Sequence, residues 1–162
     1  GAKFVGIDLH KYVNPSLVEL ERGRQLKNWE QMRTDFETGL KKFKNNSVSV
    51  ISSELALGYF NKQGIDFERD QTDVIRHTNN VIKLAHDKLK KGGKLMMVMD
   101  SETLDLTQMF FQKTGFDLAN AKISKVKKAS TAYGEYLGVE RTSWMKDFAN
   151  HGIIMYQLVV VK

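Results

Sequence analysis

The chemistry in this chain gathers where apolar stretches stop at polar residues. Phe4-Val5-Gly6-Ile7-Asp8 reads as a short buried strand closing on an acid. A carboxylate there can accept hydrogen bonds from both hydroxyls of a ribose, and ligands of open α/β sheets bind at that edge. The alternative is a strand-end acid that caps a turn. His10, two residues on, is placed to touch the same ligand or to act as a base, though a lone histidine in a loop is more often simply exposed. Asp35 and Phe36 follow a weaker strand, and Ser52, Ser53 and Glu54 end a clearer one. Either serine could instead cap a helix. Tyr133, Tyr136, Trp144 and Phe148 crowd a polar-aromatic stretch, 129–151. As loops on rigid scaffolds select substrates, these rings could form a lid over an apolar or aromatic acceptor, or merely close the end of the core.

Other chemistries are excluded. There is no cysteine, which removes disulfides, thiolate metal sites and cysteine nucleophiles and fits a reducing, cytoplasmic setting. His10, His77, His86 and His151 show no metal-ligand spacing, so no metal is expected. No Gly-x-Ser-x-Gly elbow and no Walker loop occurs.

Alternating strands and helices would hold these residues. Strands are expected over 3–9, 30–36, 47–53, 94–99, 117–125 and 153–161. Asn14-Pro15 offers an N-cap and a first-turn proline for a helix to about residue 26, and 38–43 is at most a short helix. Val74, Thr78, Ile82, Ala85 and Leu89 recur at helical spacing, with lysines crowding the last turn and Gly92-Gly93 as the stop. A further helix is expected over 101–114, with Leu106, Met109 and Phe110 inward and Gly115 ending it. Lys-Leu-Met-Met-Val-Met, 94–99, is a continuous apolar run suited to a strand covered on both faces. Residues 60–71 read as a loop. The alternation predicts a three-layer, Rossmann-like, mostly parallel sheet whose final strand joins antiparallel.

The 162 residues suffice for one domain with a core, and the 41% hydrophobic fraction is that of a globular chain. No apolar run approaches the roughly 20 residues that span a bilayer, and the first residues do not read as a signal peptide. The net charge is +6. A solvated basic surface explains it, and attraction to a polyanion such as RNA is the sharper reading. The lysines cluster at expected helix ends (Lys41, Lys42, Lys44; Lys88, Lys90, Lys91; Lys125, Lys127, Lys128), where the helix dipole already favours cations.

Leu89-Lys90-Lys91-Gly92-Gly93-Lys94-Leu95-Met96-Met97-Val98 resembles the helix–GG–strand segment of class I S-adenosylmethionine-dependent methyltransferases. Val50-Ile51-Ser52-Ser53-Glu54-Leu55 resembles that family's fourth strand and the motif after it, and Phe4-Val5-Gly6-Ile7-Asp8 its second strand. The resemblance covers nearly the whole chain. It implies S-adenosylmethionine as cofactor, with Asp8 and Leu9 at the ribose, Asp35 at the adenine amino group and Phe36 packed on the ring. It also implies Ser52 and Ser53 near the amino-acid portion, and Glu54 with His10, Tyr133, Tyr136 and Trp144 toward the substrate. The family's first strand and its glycine-rich turn are absent from the sequence. Residues 1–162 thus read as a single partial domain lacking its first βα unit, with 129–151 as an insertion or lid, and either a second chain or polypeptide not written here would complete the sheet.

Two functions follow from the resemblance. One is methyl transfer, more readily to a small molecule, whose branch of the family residues 50–100 resemble most; no Asn-Pro-Pro-Tyr motif follows the fourth strand, which counts against an amine in DNA. The other is a non-catalytic methyltransferase-like subunit or RNA-binding module. A nicotinamide-dependent dehydrogenase would also use Asp8, but the antiparallel closing strand and Lys-Gly-Gly-Lys disfavour it.

Overall fold

In the computed structural model, which describes residues 3–9, 29–54, 56–111, 113–125 and 151–162, the strands fall into two sheets. β1 (Phe4–Asp8) pairs in parallel with β2 (Trp29–Arg33), and Asp8 stands opposite Arg33. β3 (Val48–Glu54), β4 (Leu89–Asp100), β5 (Lys122–Lys125) and β6 (Met155–Val161) form the second sheet in the order β3-β4-β6-β5. β3 and β4 are parallel, and β6 runs antiparallel to both β4 and β5. This is the expected mixed architecture. β1 is not paired with β3 among the described residues, so each keeps an unpaired edge.

The helices are α1 (Phe36–Lys41), α2 (Gln71–Lys88) and α3 (Ser101–Phe111). α1 links the two sheets. Gly39 lets it lie on β1, because a Cβ at Gly39 would stand 2.6 Å from Ile7 Cγ2. On its other side α1 meets α2, where His77 Nδ1 lies 2.8 Å from Glu37 Oε1. The core forms where α2 and α3 cover the second sheet, through Val81, Ile82 and Ala85 of α2, Leu104 and Phe111 of α3, and Leu95, Met97, Met99, Leu158 and Val160 of the strands. β4 lies between β3 and β6 with Met97, Val98 and Met99 all buried, which is why its sequence is a run rather than an alternation. No helix among the described residues is long and apolar enough to cross a membrane.

Several boundaries move. β2 stops at Arg33 rather than reaching residue 36, because Asp35 caps α1 by accepting from the Thr38 amide at 3.0 Å. α2 ends at Lys88, so Lys90, Lys91, Gly92 and Gly93 belong to β4 and do not close a helix. They form an irregularity in its pairing: Val48 stands opposite Leu89 but Val50 opposite Lys94. Gly92 takes φ +76 there, a conformation that favours glycine. α3 ends at Phe111, and its buried residues include Thr103, Leu104, Thr107 and Phe111; Leu106 packs half-buried against the core, and the side chains of Met109 and Phe110 lie outside what is described. The stretch 117–125 begins as a 3-10 turn, Leu118–Asn120, before β5. β6 lies inside the sheet and β5 takes the edge. The helix expected over 14–26 and residues 129–150 of the expected insertion lie outside the described residues.

Candidate functional site

The carboxyl ends of the parallel strands open on one side of the molecule. Leu9 follows β1 and contacts the loop after β3: a Cβ on Gly64 would lie 3.3 Å from Leu9 Cδ1. Arg33, at the end of β2, aims its Nε at the Leu9 carbonyl, 3.5 Å away. Asp35 stands at the head of α1 within the electrostatic reach of Lys62 from the same β3 loop. Three strand ends therefore border one place. Asp8 holds the last position of β1, opposite Arg33, and its side chain lies outside what is described.

Asp35 is half-buried. Burial works to raise its carboxyl, but the hydrogen bonds from Thr38, helped by the charges of Lys62 and His77, hold it below its ordinary value of 3.8. It is ionised at neutral pH and, as a carboxylate with two lone pairs on each oxygen, keeps accepting capacity beyond its bond to Thr38. Phe36 stacks on His77, with ring centroids 6.2 Å apart at 17°. His77 is itself buried and held by Glu37, so the aromatic residue beside Asp35 is braced from behind.

Ser52 and Ser53 lie on β3, opposite Met96 and Met97, with Ser52 exposed and Ser53 half-buried. Ser53 Oγ accepts from the Leu57 amide at 3.2 Å, so this serine shapes the turn that leaves the strand. Glu54 ends β3 opposite Val98, its side chain undescribed. His10, Tyr133, Tyr136 and Trp144 lie outside the described residues.

The structure adds a polar cluster at the same end. Tyr59 donates its hydroxyl to Asp100 Oδ2, and the Asp100 amide donates back to that hydroxyl at 2.9 Å. Thr103 contributes its amide to Oδ1 and its hydroxyl to Oδ2, both at 2.9 Å. Burial and the bond to Asp100 push the Tyr59 phenol above its ordinary value of 10, so it stays protonated. Burial opposes ionisation of Asp100, but the donors from Tyr59 and Thr103 outweigh it and hold the carboxyl below 3.8. A phenol that keeps its proton and a carboxylate already engaged by three donors form a brace rather than a base. The loop reaches this position because Gly58, at φ +92, passes where a Cβ would stand 2.7 Å from Thr103 Cγ2, and its amide donates to Thr78 Oγ1 at 3.1 Å. Asp100 carries the same signal that singles out Asp8, an acid closing an apolar strand. Tyr59 has no such signal, because its partner is 41 residues away.

No protein-family model matches the chain, and no curated protein does. Solved structures match it in fold. Phosphoethanolamine N-methyltransferase 2 of Haemonchus contortus, solved with phosphomonomethylethanolamine and S-adenosylhomocysteine, superposes with a TM-score of 0.58 at 13% identity, over 100% of this chain and 44% of its own. A methyltransferase of Streptococcus mutans, solved with S-adenosylhomocysteine, gives 0.56 at 13% identity over 98% of this chain and 76% of its own. The 4+2 cyclase SpnF gives 0.62 at 11% identity, over 99% of this chain and 67% of its own. This chain thus spans less than half the length of the Haemonchus enzyme. It has the class I S-adenosylmethionine-dependent methyltransferase fold, and the cyclase among its neighbours shows that the fold alone does not set the reaction.

Proposed function

We propose that this chain contributes a binding site for S-adenosylmethionine at the carboxyl ends of β1, β2 and β3 and serves methyl transfer to a small molecule. The observation that carries the reading is the meeting of Leu9, Asp35 and the Lys62–Gly64 loop at one place on a fold shared with cofactor-bound methyltransferases.

The residues fit the adenosine end of the cofactor. Asp8 and Leu9 would take the ribose, Asp35 would accept from the adenine amino group, and Phe36, backed by His77, would supply the apolar wall. For the amino-acid end, Ser52 and Ser53 are the near residues, and no glycine-rich turn stands among the described residues. A parallel strand seated between the free edges of β1 and β3, brought by a second chain or by further polypeptide, would provide that wall and complete the sheet. Bound S-adenosylmethionine supplies an already activated methyl group. The chain's part is alignment: Tyr59 and Asp100 brace the loop after β3, and Glu54, His10, Tyr133, Tyr136 and Trp144 are the residues proposed to meet the acceptor.

The edges of β1 and β3 that stay unpaired among the described residues also favour a second reading, a non-catalytic methyltransferase-like subunit. Calorimetric titration with S-adenosylhomocysteine separates the two. The first reading expects saturable heat and a loss of about tenfold in affinity for Asp35→Ser, the worth of one hydrogen bond to a charged group. Serine still caps α1, so the helix is kept. Absence of heat up to millimolar ligand would sink cofactor binding by this chain and leave the subunit reading.

A further inference from the structure

We infer that the end of the molecule where β3 and β4 begin, opposite the proposed cofactor site, is a binding surface for a nucleic-acid phosphate backbone. The inference does not rest on methyl transfer. Lysines from distant parts of the sequence meet there. Lys41, Lys42 and Lys44 lie at the end of α1 and in the loop into β3, and Lys90, Lys91 and Lys94 lie on the first half of β4; all six are exposed.

Two hydrogen bonds lock the groups together: Lys88 Nζ donates to Asn45 Oδ1 at 2.7 Å, and Lys162 Nζ to Asn46 Oδ1 at 2.8 Å. The backbone does the same, with the Asn46 and Ser47 amides bonded to the Asp87 and Lys88 carbonyls. The Gly92 amide and carbonyl of Lys162 pair at 2.9 Å, fixing the turn that presents Lys90 and Lys91.

Helix dipoles do not account for this crowding. Lys41 and Lys88 sit in last turns, but α2 stops before Lys90, Lys91 and Lys94, which stand on a strand. Local acids do not neutralise it: Glu30, whose carboxyl feels Lys42, is paired with Lys3, and Asp87, whose carbonyl takes the Asn46 amide, adds a single negative charge against the six lysines. The acids collect at the other end, where Asp35, Asp66, Glu68, Asp70, Asp100 and Glu102 stand in loops and first turns that follow the strands. Arg33, Lys62, Arg69 and Arg76 stand among those acids, so among the described residues that end is mixed in charge while the lysine end is mainly basic and suits a polyanion. Val50 and Val161 stand exposed at its margin; among the described residues no large exposed apolar side chain is aromatic, and Phe43, between Lys42 and Lys44, is half-buried. Among the described residues the surface thus presents lysines rather than exposed rings or an apolar wedge, which fits a duplex held by its phosphates better than stacked bases or a bilayer.

Fluorescence anisotropy with a short labelled RNA duplex, a DNA duplex of equal length and phosphatidylserine vesicles tests this. Duplex binding is expected, sequence-independent, with log affinity falling against log salt by about 0.9 for each phosphate contacted. Lys90→Gln/Lys91→Gln and, on the other element, Lys41→Gln/Lys42→Gln should each flatten that slope by about 2. Arg69→Gln/Arg76→Gln, cations of the opposite end, should leave it unchanged. Equal binding of the two duplexes, or preference for RNA, both support the surface and tell which nucleic acid it takes. Duplex affinity untouched by either lysine pair, no duplex binding at low salt, or capture of vesicles in preference to duplex would each overturn it.

Discussion

Tyr59 and Asp100 show how a carboxylate at a strand end can be spent on architecture. With three donors on Asp100, the loss of one should be felt in stability rather than in proton transfer. Tyr59→Phe is expected to lower unfolding free energy by about 1.5–3 kcal/mol, the range for a hydrogen bond to a charged group, measured by urea denaturation. The pH dependence has a definite sign. Because the folded Asp100 carboxyl lies below its ordinary 3.8, its contribution is complete above that value and is lost as the pH falls beneath it toward the folded value. Asp100→Asn should lower stability at neutral pH and flatten the acid limb of the stability profile; an unchanged limb would show that other carboxylates, Asp35 among them, govern it.

At the scale of elements, α1 is a six-residue helix that could not stand alone. It persists because Asp35 caps it, Glu37 meets His77, and Gly39 admits β1. Gly39→Ala makes a sharp test of that last contact. In an exposed helix the change would stabilise by roughly 0.5–1 kcal/mol. Here the added methyl meets Ile7, and a net loss of about 1–3 kcal/mol is expected by thermal melting. A stabilised variant would show that α1 does not press on β1. The start of α2 offers a parallel case: Asp70 caps the helix through the Asp73 amide and also accepts from the buried Asn61. Asp70→Ala should cost about 1–2 kcal/mol, within the range of lost caps.

For the whole molecule, the two sheets should differ in stability. β4 is bonded on both sides within a four-stranded sheet, while β1 has one partner in a two-stranded one. Two-stranded sheets are marginal on their own. Native-state hydrogen exchange should therefore find the slowest amides in Lys94–Met99 and an earlier, local opening of β1 and β2. Amides of β1 exchanging as slowly as those of β4 would mean that its free edge is covered in solution. The basic end belongs to this scale too, since no local stretch of sequence contains it.

The order of the described elements, the buried run of β4 and the acid that ends β1 were legible in the sequence, because hydrophobic period and chain punctuation are local properties. Asp35 and Phe36 were singled out by the resemblance as residues after a strand; that Asp35 caps a helix and that Phe36 leans on His77 the sequence did not reveal. The Tyr59–Asp100 brace, the end of α2 before Lys90 and the merging of two lysine groups into one surface came only with the tertiary structure. Each depends on which strand lies beside which, and pairing is decided by contacts between residues dozens of positions apart. The same holds for the edges of β1 and β3 left unpaired among the described residues: sequence shows which strands exist, while only the assembled fold shows which of them lie side by side.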